Sequence, residues 1–217
     1  LGAIAVAARK HGTANPDAHL RKPLTLEQHQ ESPLVVEPLR RDDCCLISDG
    51  GAAVVVMSAK RARELRVPDP VPILGFGQGQ TSYEVPLRPT LIETAAKISA
   101  QTAFAMAKVK PADVDVAQLY DCFTITVLLA LEDYGFCAKG EGGPFVADGA
   151  IELGGQLPVN TSGGLLSETG MPGMQLVIEG ARQIRGTSTS QVPDAEVSIV
   201  SNQGGVMHTH STLILGR

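Results

Sequence analysis

The sequence predicts a layered α/β fold, because segments typical of strands and of helices alternate along most of the chain. Apolar runs of strand length recur between segments that carry apolar residues at helical spacing. A glycine-rich loop at 160–173 leads directly into a strongly helical pattern at 174–185. A length of 217 residues suits one sizeable domain or one and a half small ones, and a hydrophobic content of 43% is enough for a packed core.

The first part of the chain is predicted to hold two helices, an irregular stretch and a strand. Leu1 to His11 carries apolar residues at helical spacing, whereas residues 12–43 contain four prolines and are predicted to form an extended loop region. The apolar run Ala52 to Met57 is predicted to be a strand that is buried on both faces. Ser58 is a suitable N-cap for a helix that continues to Leu65.

Strands and helices alternate through the rest of the chain. Further strands are predicted at 71–79, 114–119, 196–200 and 206–215. Further helices are predicted at 89–108, 124–134 and 174–185, with a turn at 110–113 and a glycine-rich loop at 140–158. The last two strands are predicted to form a hairpin at the edge of the sheet.

Composition argues against several classes of protein. The formal net charge is -5 and no long basic run occurs, which disfavours a nucleic-acid surface. No window approaches 18 consecutive apolar residues, so no membrane span is expected. The four cysteines show no CxxC spacing, and we expect reduced thiols, no metal site and a cytoplasmic protein. The chain has no signal-peptide pattern and starts within a helical pattern, so we expect a piece of a longer protein.

Four short motifs follow one another along the chain. They are Ser-Asp-Gly-Gly-Ala-Ala at 48–53, Tyr-Asp-Cys-Phe at 120–123 after Asp-Val-Asp at 113–115, the loop at 160–173, and Ser-Asn-Gln-Gly-Gly at 201–205. With these motifs the chain resembles the C-terminal half of a thiolase over essentially its whole length. It is most similar to the sterol-carrier-protein thiolases and to their bacterial lipid-transfer-protein relatives, which include thiolase-like aldolases.

This resemblance implies a thiolase-like layered α/β fold with a mixed sheet. Residues 1–47 would be the end of the N-terminal half with its loop region, and residues 48–217 would be the C-terminal domain. Thiolases use four catalytic loops, and their nucleophilic cysteine lies in the N-terminal half, outside this chain. Gly170 stands where thiolases carry a catalytic histidine and where the related retro-aldolases carry a second tyrosine. Ser201 stands where thiolases carry an acid/base cysteine.

The site residues that the resemblance implies fall into two groups. The implied catalytic residues are Tyr120, Asp121, Cys122 and Ser201. The implied substrate-binding residues are Asn160, Gly163, Gly164, Gly170, Gly204, Gly205 and His208.

Each of these assignments has a structural alternative that the sequence leaves open. Tyr120 acts in the site or is a buried tyrosine, Asp121 acts in the site or caps the next helix, and Cys122 is an acid/base group or a small buried residue. Asn160 and the loop glycines contact substrate or simply shape the turn. Ser201 contributes chemistry or turn polarity.

Three further side chains are candidates for the missing groups. Glu168 is a substitute base or a solvated loop carboxylate. His208 and His210 replace the missing imidazole, share a metal-binding face of one strand, or are polar residues at a strand end.

The sequence thus predicts a thiolase-like enzyme, by family an acetyl-CoA acetyltransferase or acyltransferase, that acts on the C–C bond of acyl-CoA thioesters in lipid or steroid metabolism. Retro-aldol cleavage needs no thiolate, so it is at least as well supported as thiolysis. No cofactor is expected beyond the CoA thioester substrate. The expected partners are a second copy in a homodimer and an OB-fold, zinc-ribbon protein. The alternative function is a catalytically silent scaffold subunit for such a partner.

Overall fold

The computed structural model describes residues 1–82, 85–205 and 207–217. The helices are α1 Gly2–Ala14, α2 Leu26–Glu31, α3 Ala59–Glu64, α4 Ala96–Ala107, α5 Thr124–Asp133, α6 Gly142–Ala147, α7 Gly164–Ser167 and α8 Met174–Arg185. The strands are β1 Leu34–Val36, β2 Leu39–Arg40, β3 Ile73–Gln80, β4 Val116–Leu119, β5 Val197–Gly204 and β6 Thr209–Gly216. In the described part of the chain, no helix is long and apolar enough to cross a membrane.

The main sheet has the strand order β3-β6-β5-β4. β4 runs parallel to β5, while β6 is antiparallel to both β5 and β3, so the predicted mixed sheet is confirmed. The predicted hairpin of β5 and β6 also forms, but it lies at the centre of the sheet, and the prediction of an edge position is wrong. The reason is that β3 pairs with β6 along nearly its whole length and so becomes the edge strand itself.

Helices cover the two faces of this sheet. Three glycines of β3 let α4 approach closely, since a Cβ built on Gly77 would lie 2.1 Å from the Ser99 carbonyl oxygen. On the other face, α8 packs against β5, with the Cα of Gly180 close to Val200. The layered α/β architecture predicted from the alternation of elements is therefore confirmed.

The predicted strand Ala52–Met57 does not form. No regular structure is assigned to it, and the side chains of Val54, Val55 and Val56 are 41%, 84% and 71% exposed. An apolar run becomes a strand only where a neighbouring strand satisfies its backbone groups, and within the described residues none pairs with this segment. The helix that follows is confirmed, with the Ser58 hydroxyl accepting a hydrogen bond from the Arg61 N–H.

Residues 12–43 hold more regular structure than predicted. They contain α2, which begins with a capping box between Thr25 and Gln28, and the short pair β1 and β2. Side chains also tie this region to the rest of the fold, because buried Asp43 accepts hydrogen bonds from His29 and from Thr124. The four prolines in this region disfavour long helices and strands, but short ones form between them.

Other element boundaries also differ from the predictions. The predicted helix at 89–108 begins only at Ala96, after a turn in which the Thr94 N–H bonds to Asp133. The predicted loop at 140–158 contains α6. Val206, the first residue of the last predicted strand, lies outside the described residues, and β6 begins at Thr209.

Candidate active site

Tyr120 follows β4 directly, at the carboxyl end of that strand. Its backbone N–H donates to the Ser201 carbonyl oxygen at 3.0 Å. Its half-buried ring packs against the apolar cluster of Leu165 and Leu176 on the α8 side of the sheet. Burial raises the pKa of the phenol, and nearby Cys122 raises it further. The phenol is therefore protonated at neutral pH and can donate a hydrogen bond or a proton.

Asp121 anchors the loop that carries α7. Its buried carboxylate accepts hydrogen bonds from the N–H groups of Leu165 at 2.8 Å and Leu166 at 3.2 Å. Burial raises its pKa to about 7, although these hydrogen bonds oppose the shift. The carboxylate lies so close to Gly164 that a Cβ there would be 2.3 Å from its Oδ2. Asp121 thus holds the loop in place rather than projecting into open space.

Asn160 fixes the other end of the same loop. Its amide oxygen accepts from the Leu119 N–H at 2.7 Å, and its amide nitrogen donates to the Leu119 carbonyl at 2.8 Å. The residue adopts a φ of +53°, a conformation that asparagine tolerates better than most residues. Gly163 has a φ of +111° and lies against Gly12 of α1. The loop is therefore rigidly attached to β4 and α1.

Cys122 lies beside the end of β5. Its Sγ accepts a hydrogen bond from the Gln203 amide nitrogen at 3.0 Å. Burial raises the pKa of this thiol to about 11. The thiol is therefore neutral at physiological pH and is a poor proton carrier there.

Ser201 faces the opposite side of the sheet from Tyr120. Its side chain is 1% exposed, and its hydroxyl accepts a hydrogen bond from the Tyr134 phenol at 2.7 Å. The same phenol bonds to Thr212 at 2.7 Å, which in turn bonds to Ser99 at 2.8 Å. The structure thus places Ser201 in a buried hydroxyl network under α4 and α5 and does not bring it together with the ring of Tyr120.

Position 170 has no room for a side chain. A Cβ built on Gly170 would lie 1.6 Å from the carbonyl oxygen of Leu46 and 2.3 Å from its carbonyl carbon. The Gly170 N–H donates to the Ser48 hydroxyl at 3.0 Å. The backbone of the segment at 44–48 therefore fills the space that an imidazole or a phenol would need.

That segment, which we call the strap (residues 44–48), is the part of the site that the sequence reasoning missed. The Cys45 N–H donates to the Cys122 carbonyl at 2.9 Å, and the Leu46 N–H donates to the Leu165 carbonyl at 3.0 Å. The strap thus links the segment at 120–123 to the glycine loop. No periodicity marks it, although Ser48 begins one of the four motifs.

The remaining predicted residues lie around the turn between β5 and β6. His208 lies over Gly205, since a Cβ on that glycine would be 2.1 Å from the imidazole Cε1, while a Cβ on Gly204 would meet no atom within 4 Å. His210 is buried, and burial together with Arg88 lowers its pKa to about 4, so its ring is neutral. In the described part of the chain, no group of three metal-ligating side chains occurs.

Glu168 is not the solvated carboxylate that the sequence allowed. It is half-buried and accepts hydrogen bonds from the Ser162 hydroxyl at 2.5 Å and from the Asn15 amide at 3.4 Å. Burial raises its pKa. These bonds hold the carboxylate against the loop and α1.

Comparison with known proteins places this geometry in a family context. Residues 77–217 match the family model described as thiolase C-terminal domain-like. The chain is 46% identical to the 17-hydroxy-3-oxo-4-pregnene-20-carboxyl-CoA lyase of Mycobacterium tuberculosis, with 100% of the chain and 57% of the relative aligned. It is 43% identical to the steroid side-chain-cleaving aldolase of Thermomonospora curvata, with 100% and 56% aligned.

A solved structure gives the same result. The structure named Ltp2-ChsH2(DUF35) aldolase superposes with a TM-score of 0.93 at 42% identity, over 99% of this chain and 57% of that one. The chain thus spans little more than half the length of these two curated relatives.

Proposed function

The chain belongs to the thiolase family through its thiolase C-terminal domain-like unit, and on that premise we propose that it serves a retro-aldolase acting on steroid acyl-CoA thioesters. The proposed substrate carries a hydroxyl group on the carbon β to the thioester carbonyl. Cleavage of the bond between the α and β carbons yields a ketone and a shortened acyl-CoA. The names of the 46% and 43% identical relatives, a lyase of a 17-hydroxy steroid CoA ester and a steroid side-chain-cleaving aldolase, support this choice.

The observation that carries the proposal is the closed position at Gly170. Thiolysis needs an imidazole there and a thiol acid/base at position 201, and neither is available. The backbone of Leu46 fills the first place, and the second holds a serine bonded to Tyr134. Retro-aldol cleavage requires only a base for the hydroxyl proton and a donor for the enolate, with no thiolate.

Tyr120 is the proposed donor. Burial raises the pKa of its phenol, so the proton is held until the enolate forms. The phenol then donates to the enolate, which is a stronger base. Asp121 and Asn160 support the reaction indirectly, because they fix the loop beside the phenol. Cys122, as a neutral thiol, lines the site without acting as a nucleophile. No cofactor beyond the CoA thioester is proposed.

The test uses the full-length protein with 17-hydroxy-3-oxo-4-pregnene-20-carboxyl-CoA. We expect mass spectrometry to show a ketosteroid together with a shortened acyl-CoA, and Tyr120→Phe to lower kcat about 10²–10⁴-fold. A parallel assay supplies a 3-ketoacyl-CoA and free CoA. Thiolysis in that assay without cleavage of the hydroxy substrate would overturn the proposal, as would full activity of Tyr120→Phe.

We further propose a homodimer that binds an OB-fold, zinc-ribbon partner in the cytoplasm. The name of the 42% identical structure includes a second component, ChsH2(DUF35), which supports a protein partner. Four unpaired cysteine thiols suit a reducing compartment. Light scattering of the protein alone and with a co-expressed candidate partner tests the assembly. A molar mass of a single chain in both samples would contradict the proposed assembly.

The second candidate function is a catalytically silent subunit that scaffolds the partner. The same closed position at Gly170 favours it, because a group expected for catalysis is absent. Loss of turnover in the partner complex when Tyr120 is changed separates the two functions. A complex that forms normally but turns over none of the CoA esters offered would support the scaffold.

A further inference from the structure

An imidazole lies next to the position that lacks one. The Nδ1 of His19 is 3.2 Å from the Ser48 hydroxyl oxygen, and that same oxygen accepts the N–H of Gly170 at 3.0 Å. The His19 ring is therefore separated from the Gly170 backbone by a single hydroxyl group. His19 is exposed, so a ligand can reach its ring.

Backbone hydrogen bonds hold His19 in this place. Its own N–H donates to the Glu168 carbonyl at 3.0 Å, and the next N–H, of Leu20, donates to the Ser167 carbonyl at 3.0 Å. The segment at 19–20 thus runs along the glycine loop just before Gly170. On the other side, Ser48 is the last residue of the strap. Two segments that are distant in sequence therefore bring a histidine and a serine together at one point of the loop.

We propose that His19 is the proton-transfer residue of the site and takes the part of the side chain that position 170 lacks. This inference rests on the proposed retro-aldol function. With Nδ1–H donating to Ser48, the lone pair on Nε2 is free to accept a proton. Ser48 acts as a positioning residue, because it bonds both to the ring and to the loop.

The proposed step conserves atoms and electrons. The Nε2 of His19 removes the proton of the substrate's β-hydroxyl group, and the oxygen forms a carbonyl as the bond between the α and β carbons breaks. The electron pair of that bond remains on the α carbon as the thioester enolate. The phenol of Tyr120 then gives its proton to the α carbon, and the proton on His19 returns to the phenolate through solvent.

Other titratable groups near the loop are less suited to this step. Glu168 is bonded to Ser162 and to Asn15, so its oxygens are already engaged. His210 is 1% exposed, under the α4 side of the sheet. His19 combines an accessible ring with a fixed backbone position.

The test compares His19→Ala with wild type in the full-length protein, assembled with its partner where one is required. We expect kcat for the β-hydroxyacyl-CoA substrate to fall about 10²–10³-fold at an unchanged melting temperature. Added imidazole should restore part of the lost rate, which a purely structural role would not allow. Arg21→Ala, at an exposed position on the same segment, is the matched control and should retain wild-type kcat.

The outcomes separate the two proposals. Wild-type protein that cleaves the substrate, with His19→Ala within twofold of it, overturns the role of His19 but leaves the retro-aldol function intact. Inactive His19→Ala that imidazole does not rescue also overturns the proton-transfer role. Wild-type protein that cleaves no β-hydroxyacyl-CoA overturns the retro-aldol function itself.

Discussion

Replacing Gly170 with alanine should force the strap away from the glycine loop. The added Cβ would lie 1.6 Å from the Leu46 carbonyl oxygen, which is about 2 Å closer than an ordinary contact. Both partners are backbone, so neither can relieve the overlap by rotating a side chain. The strap must shift as a whole, and its hydrogen bonds to the loop must lengthen or break.

The size of the effect follows from those contacts. Two hydrogen bonds are at risk, from the Leu46 N–H to Leu165 and from the Gly170 N–H to Ser48. Each contributes about 1 kcal/mol, and overpacking adds about 1–3 kcal/mol. We therefore expect a loss of about 3–5 kcal/mol in the free energy of unfolding. Thermal unfolding should show a correspondingly lower Tm.

Urea and thermal unfolding of the full-length protein, followed by circular dichroism, measure this loss. The matched control is Gly143→Ala in α6, where a Cβ would meet no atom within 4 Å and alanine favours the helix. We expect that control to be neutral or slightly stabilising. A free energy of unfolding for Gly170→Ala within about 0.5 kcal/mol of wild type would refute the reasoning, because the strap would then not be packed as described.

Two further predictions concern Asp121 and Ser201. Burial raises the pKa of Asp121 to about 7 in the folded protein, so the folded state binds this proton more tightly than the unfolded state does. The free energy of unfolding should therefore fall as pH rises from about 4 to about 7, and urea unfolding should show a weaker pH dependence for Asp121→Asn. The same pH dependence in both proteins would contradict the burial of this carboxyl group. Ser201→Ala should keep kcat within twofold and cost about 0.5–1.5 kcal/mol, because the Tyr134 phenol loses one of its two buried hydrogen-bond partners and keeps Thr212. A hundredfold fall in kcat at unchanged stability would return Ser201 to the catalytic set.

Local patterns were sufficient where one element can be recognised by its own residues. The apolar spacing from Met174 to Arg185 predicted α8 with its observed bounds, because a helix buries one stripe and is closed by glycines at both ends. The apolar run at 114–119 likewise predicted β4 from its own residues. The apolar pattern gave a wrong prediction at Ala52–Met57, where the side chains are largely exposed. Hydrophobicity favours a strand, but a strand forms only where a neighbouring strand is available to pair with it.

The site shows the same division. The four motifs identified Tyr120, Asp121 and Cys122 at a strand end, and this much follows from residue type and order. The sequence could not reveal which face of the sheet each side chain occupies, and the alternation along β5 turns Ser201 towards Tyr134. The sequence also could not reveal that the Asp121 carboxylate accepts hydrogen bonds from the backbone of the glycine loop.

The sequence by itself thus determined the family, the layered fold and the places of the four main-sheet strands along the chain, because these depend on periodicity and on short contiguous motifs. Only the tertiary structure decided what occupies position 170. Gly170 has no side chain, and the backbone of Leu46 occupies the place that a side chain would take. The neighbouring imidazole of His19 comes from a residue about 150 positions earlier in the chain. Contacts over such distances arise from packing and backbone pairing, which no local pattern encodes.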